Sequence, residues 1–207
     1  SSTNWASGSS SSGTSFSIWI NSTQTSAATS TISKLNIDLG SGAGSSIGFN
    51  KVDWPTKLYA AAIKSGGELT INRLYARDQV TATVGTIVRS SGDANVAAPT
   101  LQLFGAYGVG AAGSPLGTAG NAAGTAWTIA EINAYTGSIF VNNTGNLRIG
   151  ISNTNGINRT NLYPGIQVLA TTGNHVVDLA VTGVISAPFI SDTIKAPGAI
   201  TVTVSDD

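Results

Sequence analysis

The chain of 207 residues contains no cysteine and no methionine, and only 10% of its residues are charged. Without cysteine, a disulfide framework and a thiolate metal site are both excluded. Ten basic and ten acidic residues give a formal net charge of zero, so the chain lacks the basic surface that nucleic-acid binding requires. No apolar run approaches the roughly 20 residues that cross a bilayer. We therefore expect neither a nucleic-acid partner nor a membrane span.

Small and hydroxyl-bearing residues take the place of the missing types. Ser and Thr make up about a quarter of the chain, Gly contributes 25 residues and apolar residues 41%. That apolar share without net charge argues against intrinsic disorder, and the length suits one β-rich domain with an appendage. Three Asn-x-Ser/Thr sequons, at Asn21, Asn142 and Asn158, predict an exported glycoprotein that carries N-linked glycans. Its signal peptide would already have been removed.

The N-terminal segment differs from the rest because no charged side chain precedes Lys34. Ser1–Gly13 is a Ser/Gly tract of the kind that behaves as flexible coil. In residues 15–20, Phe16, Ile18 and Ile20 alternate with polar residues and Trp19, which predicts a strand. We expect residues 1–31 to form an N-terminal extension containing this strand, and residues 32–207 to form the main domain.

From residue 32 onward, short alternating apolar segments are separated by Gly, Pro and Asn. The pattern predicts roughly ten strands at intervals of about 8 to 15 residues, and we see no repeat of fixed period. One short helix is expected over Ala126–Ala134. This spacing favours an all-β fold, either an antiparallel sandwich or a barrel, and of these we expect the antiparallel β-sandwich.

Two Gly-rich motifs match known catalytic or nucleotide-binding patterns. Gly44–Gly48 fits G-x-S-x-G and Gly108–Gly113 fits G-x-G-x-x-G, but each motif works only where a helix follows it, and neither sequence continues as a helix. His175 is the single histidine, and it has no patterned partner for proton transfer or metal binding. We therefore expect a protein that is not an enzyme, with no catalytic residue, no metal and no cofactor other than glycans.

The four tryptophans have two interpretations. Exposed tryptophans stack on sugars in carbohydrate-binding modules, whereas buried ones pack in cores. Trp54 and Trp127 are expected in the core. Trp5 and Trp19 lie in the uncharged N-terminal region, where an aromatic ring needs a pocket on its own domain or on another molecule.

The two ends of the chain suggest how subunits could join. At the C-terminus, Ile200, Val202 and Val204 alternate almost to the last residue, so we expect a strand there. At the N-terminus, one apolar strand lies between Ser/Thr-rich stretches. Such a strand could complete the sandwich of a neighbouring subunit, or it could be the first strand of its own domain.

This arrangement resembles the subunits of donor-strand filaments. With no cysteine, few charges and several sequons, the chain resembles the archaeal surface filaments called threads more than it resembles bacterial type I pilins, which usually carry a disulfide. The resemblance implies a pilin-like or Ig-like sandwich completed by a neighbour's donor strand, in a head-to-tail homopolymer on the cell surface with a role in adhesion or biofilm formation. It implies donor residues Phe16, Ile18, Trp19 and Ile20, with Trp5 as an alternative inserted residue, and glycans on Asn21, Asn142 and Asn158.

Two other functions remain open at this point. One is a monomeric extracellular glycan-binding β-sandwich that uses Trp5, Trp19 or Trp127 and binds cell-surface glycans. The other is a virion decoration or tail protein.

Overall fold

The structure is a computed structural model that describes residues 3–7, 17–22, 32–40, 45–53, 58–89, 95–150, 164–187 and 193–205. Side chains are described from residue 35 onward within these ranges, apart from residues 50–53.

The described secondary structure consists of twenty β-strands in two sheets. Sheet A contains β1 (Thr3–Ser7), β3 (Ile32–Asp38), β5 (Leu58–Lys64), β8 (Gln79–Val84), β11 (Thr100–Gly105), β13 (Thr128–Ala134), β15 (Leu147–Ile149), β16 (Gly165–Val168), β18 (Ile185–Ser186) and β19 (Thr193–Lys195). Sheet B contains β2 (Ser17–Ser22), β4 (Ser46–Asp53), β6 (Glu68–Ile71), β7 (Leu74–Tyr75), β9 (Thr86–Arg89), β10 (Val96–Ala97), β12 (Leu116–Ala119), β14 (Ile139–Thr144), β17 (Val177–Thr182) and β20 (Ile200–Ser205).

The chain winds as a parallel β-solenoid. Segments of sheet A and sheet B alternate along the sequence, and each segment pairs in parallel with the segment one coil later. The strand order β1-β3-β5-β8-β11-β13-β15-β18 marks eight levels in sheet A. Some levels hold two short strands side by side: β13 pairs with β15 through Thr128–Ala130 and with β16 through Ile132–Ala134.

The main hydrophobic core runs between the two sheets along the solenoid axis, and Tyr75, Ala97 and Ala119 form a second, small cluster. In β8 the burial alternates along the strand, so that Val80, Ala82 and Val84 are buried while the residues between them are partly exposed. Because parallel in-register pairing places like faces on top of each other, these apolar rows continue from coil to coil. One connected cluster of buried residues therefore extends from Leu35 to Val181.

The prediction of an antiparallel sandwich is wrong, because every pairing between the twenty strands is parallel and both sheets are open. A solenoid strand has one face in the core and one face outside, as a sandwich strand does, so alternation alone does not distinguish the two. The described strands therefore do not form the donor-strand groove of an incomplete sandwich. The sequence separation between paired residues also varies: Glu68 pairs with Thr86, 18 residues later, whereas Ile139 pairs with Val177, 38 residues later.

The short helix predicted over Ala126–Ala134 is also wrong, since Thr128–Ala134 is strand β13. Six of its seven residues are buried, because both faces of this strand are covered. Ala130, Ile132 and Ala134 alternate with the polar residues Glu131 and Asn133 in the sequence, so a short period-two pattern typical of a strand is present there.

A buried asparagine joins three consecutive coils at the corner before β10. Asn95 is 0% exposed. Its Nδ2 donates to the carbonyl oxygens of Ile71 (3.3 Å) and Asn72 (3.0 Å), and its Oδ1 accepts from the Gly117 amide (2.9 Å). The side chain therefore links the coil below it to the coil above it.

Candidate functional site

The most distinctive surface of the described structure is the last coil. Strand β20 pairs along its whole length with β17, and Ile200, Val202 and Val204 stand opposite Val177, Leu179 and Val181. Those three residues of β17 are buried in the core, at 0%, 0% and 1% exposed. By register, Ile200, Val202 and Val204 therefore continue the core-facing row of sheet B, and we call them the end row.

The end row is exposed although it occupies core positions. Ile200, Val202 and Val204 are 47%, 42% and 52% exposed. Sheet A contributes Ile185 and Ile194 to the same coil, opposite the buried residues Leu147 and Ile166, and both pack partly against the core. Among the described residues, no further coil covers the core at this end of the solenoid. Solenoids ordinarily need a polar cap at such a position.

The backbone of the last coil also has an open edge. In the part of the chain that the structure describes, β20 pairs with β17 alone. An edge strand of this kind presents a row of N–H and C=O groups that can pair with another strand. The open end therefore combines a strand edge with an apolar row.

The predicted joining segment lies at the other end of sheet B. Strand β2 pairs in parallel with β4, and Ile18 and Ile20 take the positions opposite Ile47 and Phe49, two residues of the core. Trp19 is opposite Gly48. The predicted residue Trp5 lies within β1, at a register irregularity between Asn4 and Ala6. Phe16 lies outside the described residues.

The three sequons are placed differently. Asn142 is exposed on the outer face of β14, and Asn21 lies in β2 opposite Lys51. Asn158 lies outside the described residues. Neither of the two described asparagines lies in the strand that carries the end row.

Of the remaining tryptophans, Trp127 is 43% exposed rather than part of the core, and Trp54 lies outside the described residues. Among the described residues, three other aromatic residues are exposed: Tyr59, Tyr107 and Tyr135, at 46%, 65% and 59%. Tyr107 lines an open depression of about 240 Å³ together with Lys64, Thr83 and Phe104.

The two Gly-rich motifs do not form the sites that their patterns would require. Ser46, the residue at the nucleophile position of the first motif, begins a strand rather than standing on a turn before a helix. In the second motif, Val109 bridges Ile87 and Ile139 of adjacent coils. Gly110 and Gly113 adopt φ angles of 67° and 79°, and strand β12 follows the turn. Both motifs serve to build coils.

Acidic and histidine side chains are scattered in the described ranges, where no three of them come together as a metal site would require. His175 is partly exposed in the turn before β17. The described segments also include no helix with the length and apolar character needed to cross a bilayer.

No protein-family model, curated protein or solved structure matches this chain. The solenoid and its open end are therefore the observations from which a function can be inferred.

Proposed function

We propose that the chain is a non-catalytic structural subunit of an extracellular filament that grows by end-to-end stacking of solenoids. The observation that carries the proposal is the exposed end row, which continues the core in register and yet has no coil covering it among the described residues. The partner that fits this end is a second copy of the chain. Adhesion or biofilm formation is the role we infer for the filament.

The topology of sheet B supports a head-to-tail contact. Strands β2 and β20 lie at opposite ends of this sheet, and all its strands run in the same direction. A second copy displaced along the solenoid axis would therefore place its β2 beside β20 in parallel, as another coil. Because the contacting surfaces differ and the operation is a translation, such a contact does not close and generates a filament.

The chemistry of the two edges is compatible with this contact. By register, Ile18 and Ile20 of β2 stand opposite the core residues Ile47 and Phe49, and β20 presents the end row. Neither strand contains a charged residue, so no like-charge repulsion opposes the pairing. Residues 17–22 would join subunits as an edge strand of a solenoid rather than as a strand inserted into a sandwich groove.

The energetics require both the apolar row and the strand edge. Fully burying a Val or Ile side chain contributes about 1.5–3 kcal/mol. Covering the exposed half of three such residues would then contribute about 2–4 kcal/mol. Association costs about 4–15 kcal/mol in lost freedom, so the row alone does not hold two copies together. Backbone hydrogen bonds along β20, each adding about 0.5–1.5 kcal/mol, supply the remainder.

Composition and modification signals support an extracellular location. Sequons occur at Asn21, Asn142 and Asn158, while oxidation-prone cysteine and methionine are absent.

Two single substitutions in β20 test the mechanism. Val202→Lys places a charge in the end row, whereas Thr203→Lys places the same charge on the outer face one residue away, since successive strand residues point to opposite faces. We expect the unsubstituted chain and Thr203→Lys to form filaments, and Val202→Lys to stay monomeric. Light scattering over a concentration series and negative-stain microscopy would measure this.

Circular dichroism would establish that both variants keep the parent β content. A chain that stays monomeric at every concentration, or filaments that form equally well with Val202→Lys, would refute stacking through the end row.

A further inference from the structure

The outer face of β14 carries an aromatic ring beside a sequon. Phe140, Asn142 and Thr144 alternate with the buried residues Ile139, Val141 and Asn143, so the first three share the outer face. Phe140 is partly exposed, and Asn142 and Thr144 are exposed. Residues two apart on one face of a strand are separated by about 7 Å, which brings the ring within reach of a sugar attached to Asn142.

The neighbouring coils leave space around Asn142. Its register partners are Gly117 on one side and Ala180 on the other. Neither has a side chain longer than a methyl group, so nothing at these two positions screens the Asn142 amide.

The adjacent asparagine is not available for modification. Asn143 is 2% exposed. Its Oδ1 accepts from the Thr118 hydroxyl (3.0 Å) and its Nδ2 donates to the Gly145 carbonyl oxygen (2.8 Å). The strand therefore presents one asparagine to the outside and holds the other in the interior.

We propose that Asn142 carries an N-linked sugar whose first residue packs its C–H face on the Phe140 ring, so that the glycan stabilises the coil. The inference rests on the proposed extracellular function, because N-glycosylation requires export. In the transfer, Asn142 Nδ2 forms a bond to C1 of the sugar as the bond from C1 to a lipid-linked phosphate donor breaks. The amide loses one proton and the lipid phosphate leaves.

The test uses the full chain with Asn21→Gln and Asn158→Gln, so that Asn142 is the sole acceptor. It is secreted from a mammalian host and trimmed to a single N-acetylglucosamine, and the unmodified form is made in the bacterial cytoplasm. Mass spectrometry should find the sugar on Asn142, and Thr144→Ala should abolish it. Thermal unfolding of both forms is then compared with Phe140 present and with Phe140→Leu.

We expect the sugar to raise the Tm by about 2–4 °C, the shift that a stabilisation of about 1 kcal/mol gives for a chain of this size. In the Phe140→Leu variant, the glycosylated and unmodified forms should have the same Tm. In the NMR spectrum of the glycosylated chain that retains Phe140, the ring current of Phe140 should move the sugar C–H proton resonances upfield of those in the free sugar.

An unmodified Asn142 in the secreted chain, an equal Tm increase in both pairs, or unshifted sugar resonances would overturn the inference. Filament formation is measured on the unmodified protein, so failure of the glycan inference and failure of the stacking proposal are distinguishable.

Discussion

Asn95 provides the sharpest test of the solenoid itself, because its side chain is fully buried and bonds to the coils on both sides. Asn95→Ala removes three hydrogen bonds, each of which contributes about 0.5–1.5 kcal/mol. It also leaves the Gly117 amide without its Asn95 acceptor, and an unsatisfied buried group costs about 1–3 kcal/mol. We expect a loss of about 2.5–7.5 kcal/mol in the free energy of unfolding.

Asn121 offers a matched control in the same protein. Its side chain also makes three hydrogen bonds, to the Ala123 amide (3.1 Å), the Thr125 amide (3.0 Å) and the Thr125 hydroxyl (3.0 Å). That turn is open to solvent, so water can replace the lost partners. Asn121→Ala should therefore cost about 1 kcal/mol or less.

Equilibrium unfolding in urea, followed by circular dichroism and by tryptophan fluorescence, would measure both variants. Coincident transitions with an unchanged slope would allow the midpoint shift to be converted to free energy. If Asn95→Ala cost no more than Asn121→Ala, Asn95 would not be buried between coils and the register around β10 would be wrong.

Two further substitutions probe packing and charge. Phe49 is 0% exposed, so Phe49→Ala should lower the free energy of unfolding by about 3–5 kcal/mol, measured by the same urea transition. A loss below about 1 kcal/mol would contradict the place of Phe49 in the core. Thr83 pairs with Lys64, so at low salt Thr83→Lys should be less stable than Thr83→Glu by about 0.5–1 kcal/mol. That difference should shrink in about 1 M salt, and equal stability of the two variants at low salt would contradict the register.

The sequence could predict the strands and much of the inner face, because the in-and-out alternation is a local property. Leu69 and Ile71, or Val80 and Val84, alternate in the sequence and are buried in the structure. The partner of each strand is not a local property. Parallel coils and antiparallel hairpins use the same alternation and similar Gly-rich turns, so the sequence alone favours the commoner sandwich.

The repeat is hidden in the sequence for a second physical reason. In a solenoid the strands must stack, but the segments between them can leave the stack at a corner and return. The short coil from Glu68 to Thr86 and the long coil from Ile139 to Val177 therefore coexist in register. A search for a fixed period fails in such a chain.

The open end could be predicted only in part. Alternation identifies Ile200, Val202 and Val204 as one face of a strand. Their exposure depends on whether another coil covers them, which is a property of the assembled structure. Asn95 leaves no recognisable pattern in the sequence, because its three partners lie about 22 to 24 residues away.

The low charge that marks the sequence follows from the fold. In a parallel stack, outward side chains of successive coils lie about 4.8 Å apart, and like charges at that distance repel. Across the described strand pairs, each charged residue has a neutral or oppositely charged partner. Glu131 pairs with Gln102 and Asp178 with Phe140 and Thr201, while Asp38 pairs with Lys64 and forms an exposed ion pair of 3.5 Å. Ser, Thr, Asn and Gly stack without this repulsion at every level. In a filament of such solenoids, the strands that pair across each junction between copies would also have to avoid like charges opposite each other. Strands β2 and β20 satisfy this requirement because neither contains a charged residue.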